Sequence, residues 1–288
     1  QAINDSAEFQ KRIAQIQTIS QDNQLSTEGW SNSLRKLSDD FNLPLLDVTE
    51  AAYEAVSNQI GQGTKAISFM SEAAIFAKVS VSSLKDSVAL LSAVMNAYNL
   101  DQTETRKVAE GLFQTMDLGR VKVGEIANII GQTTSLSAQL KVPFEEVEAA
   151  LASLSIRGVT PEMALTGIQN ILKQMIKPSK EMKEQFAEWG FESGQAAIKT
   201  LGFVGVLRKF DETVRNGGLS ELGDQLQDLR AIRAGFGLTG DAFADFENFL
   251  AKGKEAAAKY EAANALVADN IGKKYTSEVN KVANILTV

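Results

Sequence analysis

The chain contains no cysteine and no histidine, and only 4 prolines among its 288 residues. Without His or Cys there is no Ser/His/Asp or Cys/His catalytic set, no thiolate nucleophile, and no zinc site of the usual nitrogen or sulfur kind. Disulfides are excluded as well, although the absence of cysteine fits any redox compartment. Aromatic residues make up 7% of the chain, and no apolar run approaches the ~18 residues that a membrane-spanning helix needs. The most apolar stretch, Leu201 to Leu207, is far shorter. Positive charge is in the minority: Lys plus Arg number 29 against 36 Asp plus Glu, a formal net charge of −7. A polyanion would be repelled on average, so specific nucleic-acid binding is not expected.

What is present is a chain long enough, at 44% hydrophobic residues, to bury one large core or two ordinary ones. The chain opens at Gln1 and not at Met, which leads to the expectation that it is a portion of a longer protein.

Apolar spacing is helical nearly throughout. Leu84, Val88, Leu91 and Met95 recur at one-face helical intervals. Similar stripes run through Ile126, Ile129 and Ile130, through Val147, Ala150, Leu151 and Leu154, and through Leu165, Ile168, Ile171, Leu172 and Met175. Helix starts carry their own chemistry. Asp101 and Glu104 fit a capping box, and Thr160 before Pro161 fits an N-cap followed by proline in the first turn. Pro44 and Pro143 mark two further starts, and Pro178 ends the helix that carries Met175.

Aligning these starts suggests an internal repeat. Val79, Leu100, Val121 and Val142 lie 21 residues apart, and Val159 follows 17 later. From Val79, Val121 and Val142, and also from Leu43, candidate core positions come five and nine residues on. The expected fold is all-α: stacked helical hairpins forming a bundle or short solenoid-like core, closed by a long C-terminal amphipathic helix. The expected organisation is a helical segment over residues 1–41, a helical core over 42–240, and a long Ala-rich helix over 241–288 that could serve as a coiled-coil stalk.

That last region supplies the candidate site. Phe246, Leu250, Ala257, Tyr260, Val267 and Ile271 step by 3, by 4 or by their sum, and Val279, Val282 and Leu286 resume the stripe after a slip. Such a seam suits either self-association or folding back on the bundle.

Other motifs carry less chemistry than their letters suggest. Gly235 to Gly240 matches GxGxxG, but it follows a helical segment where a dinucleotide site requires a strand; Gly235 reads as a helix end and Gly240-Asp241 as a turn into the next helix. Glu145, Glu146 and Glu148 fall at a helix start, where the macrodipole favours negative charge. Lys173, Lys177, Lys180 and Lys183 read as a solvated face, since no aromatic residues interleave to stack bases. No catalytic residue, cofactor or metal site is expected.

From about Asn42 onward, the order of elements resembles the core region of phage tail tape measure proteins. The matching elements are Leu43 to Gly63; Ser92 to Tyr98; Asp117-Leu118-Gly119 with Val123 to Ile126; Val142 to Leu154 with Gly158; Ala164-Leu165-Thr166 running to Lys177-Pro178; and Leu229 to Arg233 before Gly235. One departure is Leu154-Ser155-Ile156-Arg157, where the family often has a Leu-Thr pair before the glycine.

The resemblance implies a structural virion protein that sets tail length, lies in the tail tube lumen or tip, and leaves during DNA ejection. It also implies assembly in the host cytoplasm. The implied partners are other copies of itself, the tail tube protein, tail tip or baseplate hub proteins, and tail assembly chaperones. It carries over no catalytic residue. The competing expectation is an α-solenoid-like adaptor that binds a helical peptide in a groove.

Overall fold

The computed structural model describes residues 2–20, 25–217 and 238–268. Among these, every regular element is a helix. The chain divides into two compact units, one from residues 1–113 and 257–288 and the other from 114–256.

Unit 1 is built around one central helix. Helices α1 (Ala2–Ile19), α2 (Thr27–Phe41), α4 (Thr64–Val79) and α5 (Leu84–Tyr98) all pack on α3 (Leu45–Ser57). Helix α3 buries Leu45, Val48, Ala51, Ala52, Ala55 and Val56 against these neighbours and keeps Asp47, Tyr53 and Ser57 toward solvent. Its buried Thr49 hydroxyl donates to the Leu45 carbonyl at 2.7 Å and so is not stranded. The first turns of α6 (Thr105–Gly119) and the helical residues 257–268 complete the unit.

Unit 2 repeats the plan with other elements. Helices α7 (Val123–Ile126), α8 (Ile130–Gln139), α9 (Phe144–Ile156) and α12 (Gly194–Gly217) contact a central α10 (Pro161–Ile176), and α11 (Lys180–Glu188) rests on α12. Buried Ala164, Leu165, Gly167, Ile168, Ile171, Leu172 and Met175 line α10. Gly119 lies against α9, where a Cβ would fall 2.6 Å from the Ala152 Cα, so no larger residue fits without moving backbone. Helix α13 (Asp241–Lys252) packs on α9 and α12.

One kind of corner joins most of these helices. A residue in the left-handed region ends the helix at Asn42, Val81, Asn99, Arg120, Lys141 and Gly158, with φ of 49°, 54°, 52°, 56°, 59° and 88°. The next amide reaches back five residues in a Schellman bond: Leu43 to Ser38, Ser82 to Ala77, Leu100 to Met95, Val142 to Ser137 and Val159 to Leu154, all within 2.8–3.2 Å. A cap residue follows directly, Pro44, Ser83, Asp101, Lys122, Pro143 or Thr160.

These corners are the physical content of the internal repeat. Leu43, Leu100, Val121, Val142 and Val159 each follow a left-handed residue, and the residues five and nine later are buried at every one of them. Val79 is different: it is the last residue of α4, and Ser82 occupies the equivalent position, so the 21-residue spacing holds only from Leu100 to Val142.

Three other local expectations shift. The stripe Ile126–Ile129–Ile130 is not one helix, because α7 ends at Ile126 and α8 begins at Ile130. Asp101 accepts from the Thr103 amide at 3.1 Å and starts a 3-10 turn, Gln102–Glu104, ahead of α6. The long C-terminal helix is interrupted: α13 is followed by a 3-10 turn at Gly253–Glu255 and then by α14 (Ala256–Ala268). By contrast, Thr160 accepts from the Met163 amide with Pro161 in the first turn, and α10 stops at Ile176 ahead of Pro178, as the sequence predicts.

Candidate self-association surface

Within its unit, each half of the C-terminal stripe has its own setting. In α13, Ala242, Phe243 and Phe246 are buried, with the Phe243 and Phe246 rings 5.9 Å apart. The Ser153 hydroxyl of α9 donates to the Ala242 carbonyl at 3.4 Å. Arg157 pairs with Asp245, and Arg208 with Glu247 at 2.8 Å, while the Arg208 guanidinium also lies 5.9 Å from the Phe243 ring centroid. Apolar burial flanked by ion pairs on two neighbouring helices fixes α13 firmly to unit 2.

In α14, Tyr260 is fully buried in unit 1, edge-on to Phe113 at 5.7 Å. Arg106 pairs with Glu261 and, at 3.1 Å, with Glu110. The Tyr260 hydroxyl is buried without a hydrogen-bond partner, as is Oε2 of Glu72. Burial, with the charges of Glu72 and Glu110 nearby, pushes the phenol well above its ordinary range.

The candidate residues therefore separate. Phe246 and Tyr260 are covered by the protein's own helices, which is the folding-back arrangement at those two positions. Leu250 and Val267 are half-buried and Ala257 is exposed. Ile271, Val279, Val282 and Leu286 lie outside the described residues. Leu266, which the 3-and-4 spacing skips, is 78% exposed.

Two carboxylates do work that their sequence positions conceal. Glu146 sits in the first turn of α9, but its side chain accepts from the Val204 amide at 3.2 Å and also from that of Phe203. Those amides are freed because α12 breaks at Gly202, where φ is 71° and ψ 174°, a conformation open essentially to glycine alone. Glu146 thus caps the second half of α12 from another helix. Its burial raises its pKa, and the amide bonds partly offset that rise. Asp211 does the same at Gly240, accepting from that amide while also binding the Arg215 guanidinium at 2.8 Å. Gly240 is the N-cap of α13, in agreement with the turn inferred there; Gly235 and Gly237 of the GxGxxG stretch lie outside the described residues. Sequence reasoning missed both caps because cap and capped amide are separated by 58 and 29 residues.

The remaining candidates are ordinary surface. Lys173, Lys177, Lys180 and Lys183 are all exposed, with Lys180 paired to Glu184 at 3.8 Å. Among the described residues, no three carboxylates converge as a metal site would require, and no single helix is long and apolar enough to cross a membrane. The large exposed apolar side chains are Tyr53, Val81, Ile156, Met163, Ile176 and Leu266, with only Met163 and Ile176 sharing a helix, at its opposite ends.

No solved structure matches the chain. A curated relative, the probable tape measure protein of Clostridium phage phiCD119, is 25% identical over 255 residues, which is 85% of this chain and 27% of the relative. The chain thus spans about a quarter of that relative's length. The family model for phage-related minor tail proteins matches residues 31–237, the helices from α2 through α12 and the stretch beyond, and on that match the chain belongs to the phage-related minor tail protein family.

Proposed function

We propose that this chain is a compact helical portion of a tape measure protein, which fixes tail length during assembly, occupies the tail tube lumen and leaves ahead of the DNA on ejection. The observation that carries this reading is the similarity to a probable tape measure protein along 85% of the chain. Its task is mechanical and involves no catalytic step.

The architecture supports the reading in a specific way. Drawn out as a single helix at ~1.5 Å per residue, 288 residues would reach about 430 Å. Corners at Asn42, Val81, Asn99, Arg120, Lys141 and Gly158 break the chain instead into short helices. A segment of this kind contributes its full ruler length only when the corners open. Within the proposed tape measure, residues 42–240 form the core and the stripe after Phe246 leads into or out of the extended part. The acidic balance eases the passage of a polyanionic genome. Copies pair through the stripe, of which Ala257 is exposed and Leu250 and Val267 are half-buried; Ile271, Val279, Val282 and Leu286 continue it in the sequence. The further partners are the tail tube protein, tail tip or baseplate hub proteins and tail assembly chaperones.

An in-frame deletion within this region of the phage gene tests the reading by electron microscopy of tails. Viable particles with tails shortened in proportion to the deletion are expected; tails of unchanged length would remove the ruler role from this segment.

A further inference from the structure

The two halves of the C-terminal stripe are held very differently. Helix α13 is anchored by the buried side chains of Ala242, Phe243 and Phe246. In α14, apart from Ala256 at its first position, Tyr260 is the one buried side chain among those described. Ala257, Ala258, Glu261, Ala262, Ala265 and Leu266 face solvent.

From this contrast we infer that α14 is a releasable strap, docked on unit 1 through Tyr260 and able to leave while α3, α4 and α5 stay folded. Three features make release cheap. Docking strands the Tyr260 hydroxyl and Oε2 of Glu72 away from hydrogen-bond partners, and both regain water when the ring withdraws. The accompanying ion pair is half-exposed and screened, and Arg106 keeps Glu110 as a partner after Glu261 departs. The 3-10 turn at Gly253–Glu255 buries none of its residues, so it can change conformation without disturbing a core.

Opening exposes a socket beside Phe113 and frees a helix that carries Tyr260 and Leu266 on its surface. The device works whether or not the chain governs tail length, so a failed deletion experiment would leave it untouched.

Amide hydrogen exchange on the 288-residue chain tests the strap. Amides of α14 are expected to exchange at least about 100-fold faster than those of α3 and α5, with little dependence on denaturant, as local openings do. Tyr260→Phe removes the stranded hydroxyl and keeps the ring, so it is expected to slow α14 exchange and leave α3 unchanged. Tyr260→Ala is expected to speed α14 exchange with α3 again unchanged. Equal protection of α14 and α3, or a Tyr260→Ala change that moves both by the same factor, would overturn the inference.

Discussion

Units 1 and 2 share a plan, and the contrast of Glu146 and Asp211 in one with Glu72 in the other shows what a buried carboxylate needs. Each packs its helices around one central helix, α3 in the first and α10 in the second, and each joins helices through the same left-handed corner. In unit 2, Glu146 and Asp211 are drawn inward to satisfy amides freed at Gly202 and Gly240. In unit 1, Oε2 of Glu72 is buried with no hydrogen-bond partner, beside a Tyr260 hydroxyl in the same condition. A buried carboxylate is therefore a structural joint at Glu146 and Asp211 and a local cost at Glu72. The difference lies in whether backbone donors converge on it, since a buried acceptor without a donor forfeits its hydration for nothing.

The largest expected effect tests the joint. Glu146→Ala leaves two amides of α12 without an acceptor and should lower the stability of unit 2 by about 2 kcal/mol, the usual range for stranding buried donors. Urea unfolding followed by exchange of the α12 amides should show the loss in unit 2 and spare α3. An equal loss in both units would erase the contrast.

A smaller and opposite effect belongs to unit 1. Val81 is β-branched, 92% exposed and held at φ 54°, a region that L-residues with branched side chains strongly avoid. Val81→Gly should raise stability by about 1 kcal/mol, the relief of left-handed strain less the added chain entropy of glycine. Thermal unfolding with a higher midpoint confirms this; a lower one would show that the Val81 side chain contributes contacts its exposure denies.

The smallest effect is a slope in pH. The Glu72 pKa is raised chiefly by burial, with Arg106 lowering it and Glu110 raising it again. A carboxyl whose folded pKa lies above its unfolded value binds protons more tightly when folded. Its contribution to stability therefore grows as pH falls through the raised folded value, and levels off below the ordinary carboxylate range. Glu50, held low by hydrogen bonds from Lys85 and Arg12, acts in the other direction at more acid pH. Glu72→Gln should flatten the weakly acidic part of the stability profile; an unchanged profile would show that Glu72 is no cost to unit 1.

How much of this was legible beforehand depends on the range of each interaction. Pro161 with Thr160, the stop before Pro178 and the stripes of α5, α9 and α10 were readable because a cap and its amide, or two residues on one helix face, lie within a few positions. The corners were half-readable. Leu100, Val121 and Val142 stood out by spacing, but Val79 was aligned in place of Ser82, since a polar residue at the equivalent corner gives no apolar signal. The family could be read from the order of many weak elements, and Gly119 gives one of them a physical role: the backbone of Ala152 leaves no room for a side chain.

The sequence by itself determined the helical class, most helix limits and the absence of His and Cys chemistry, because these rest on composition and on contacts a few residues apart. The tertiary structure alone decided which way Phe246 and Tyr260 turn, that residues 257–268 join unit 1, and that Glu146 caps a helix 58 residues away. An apolar stripe specifies only that something must cover it. What covers it depends on surfaces from distant parts of the chain, and these meet only after folding.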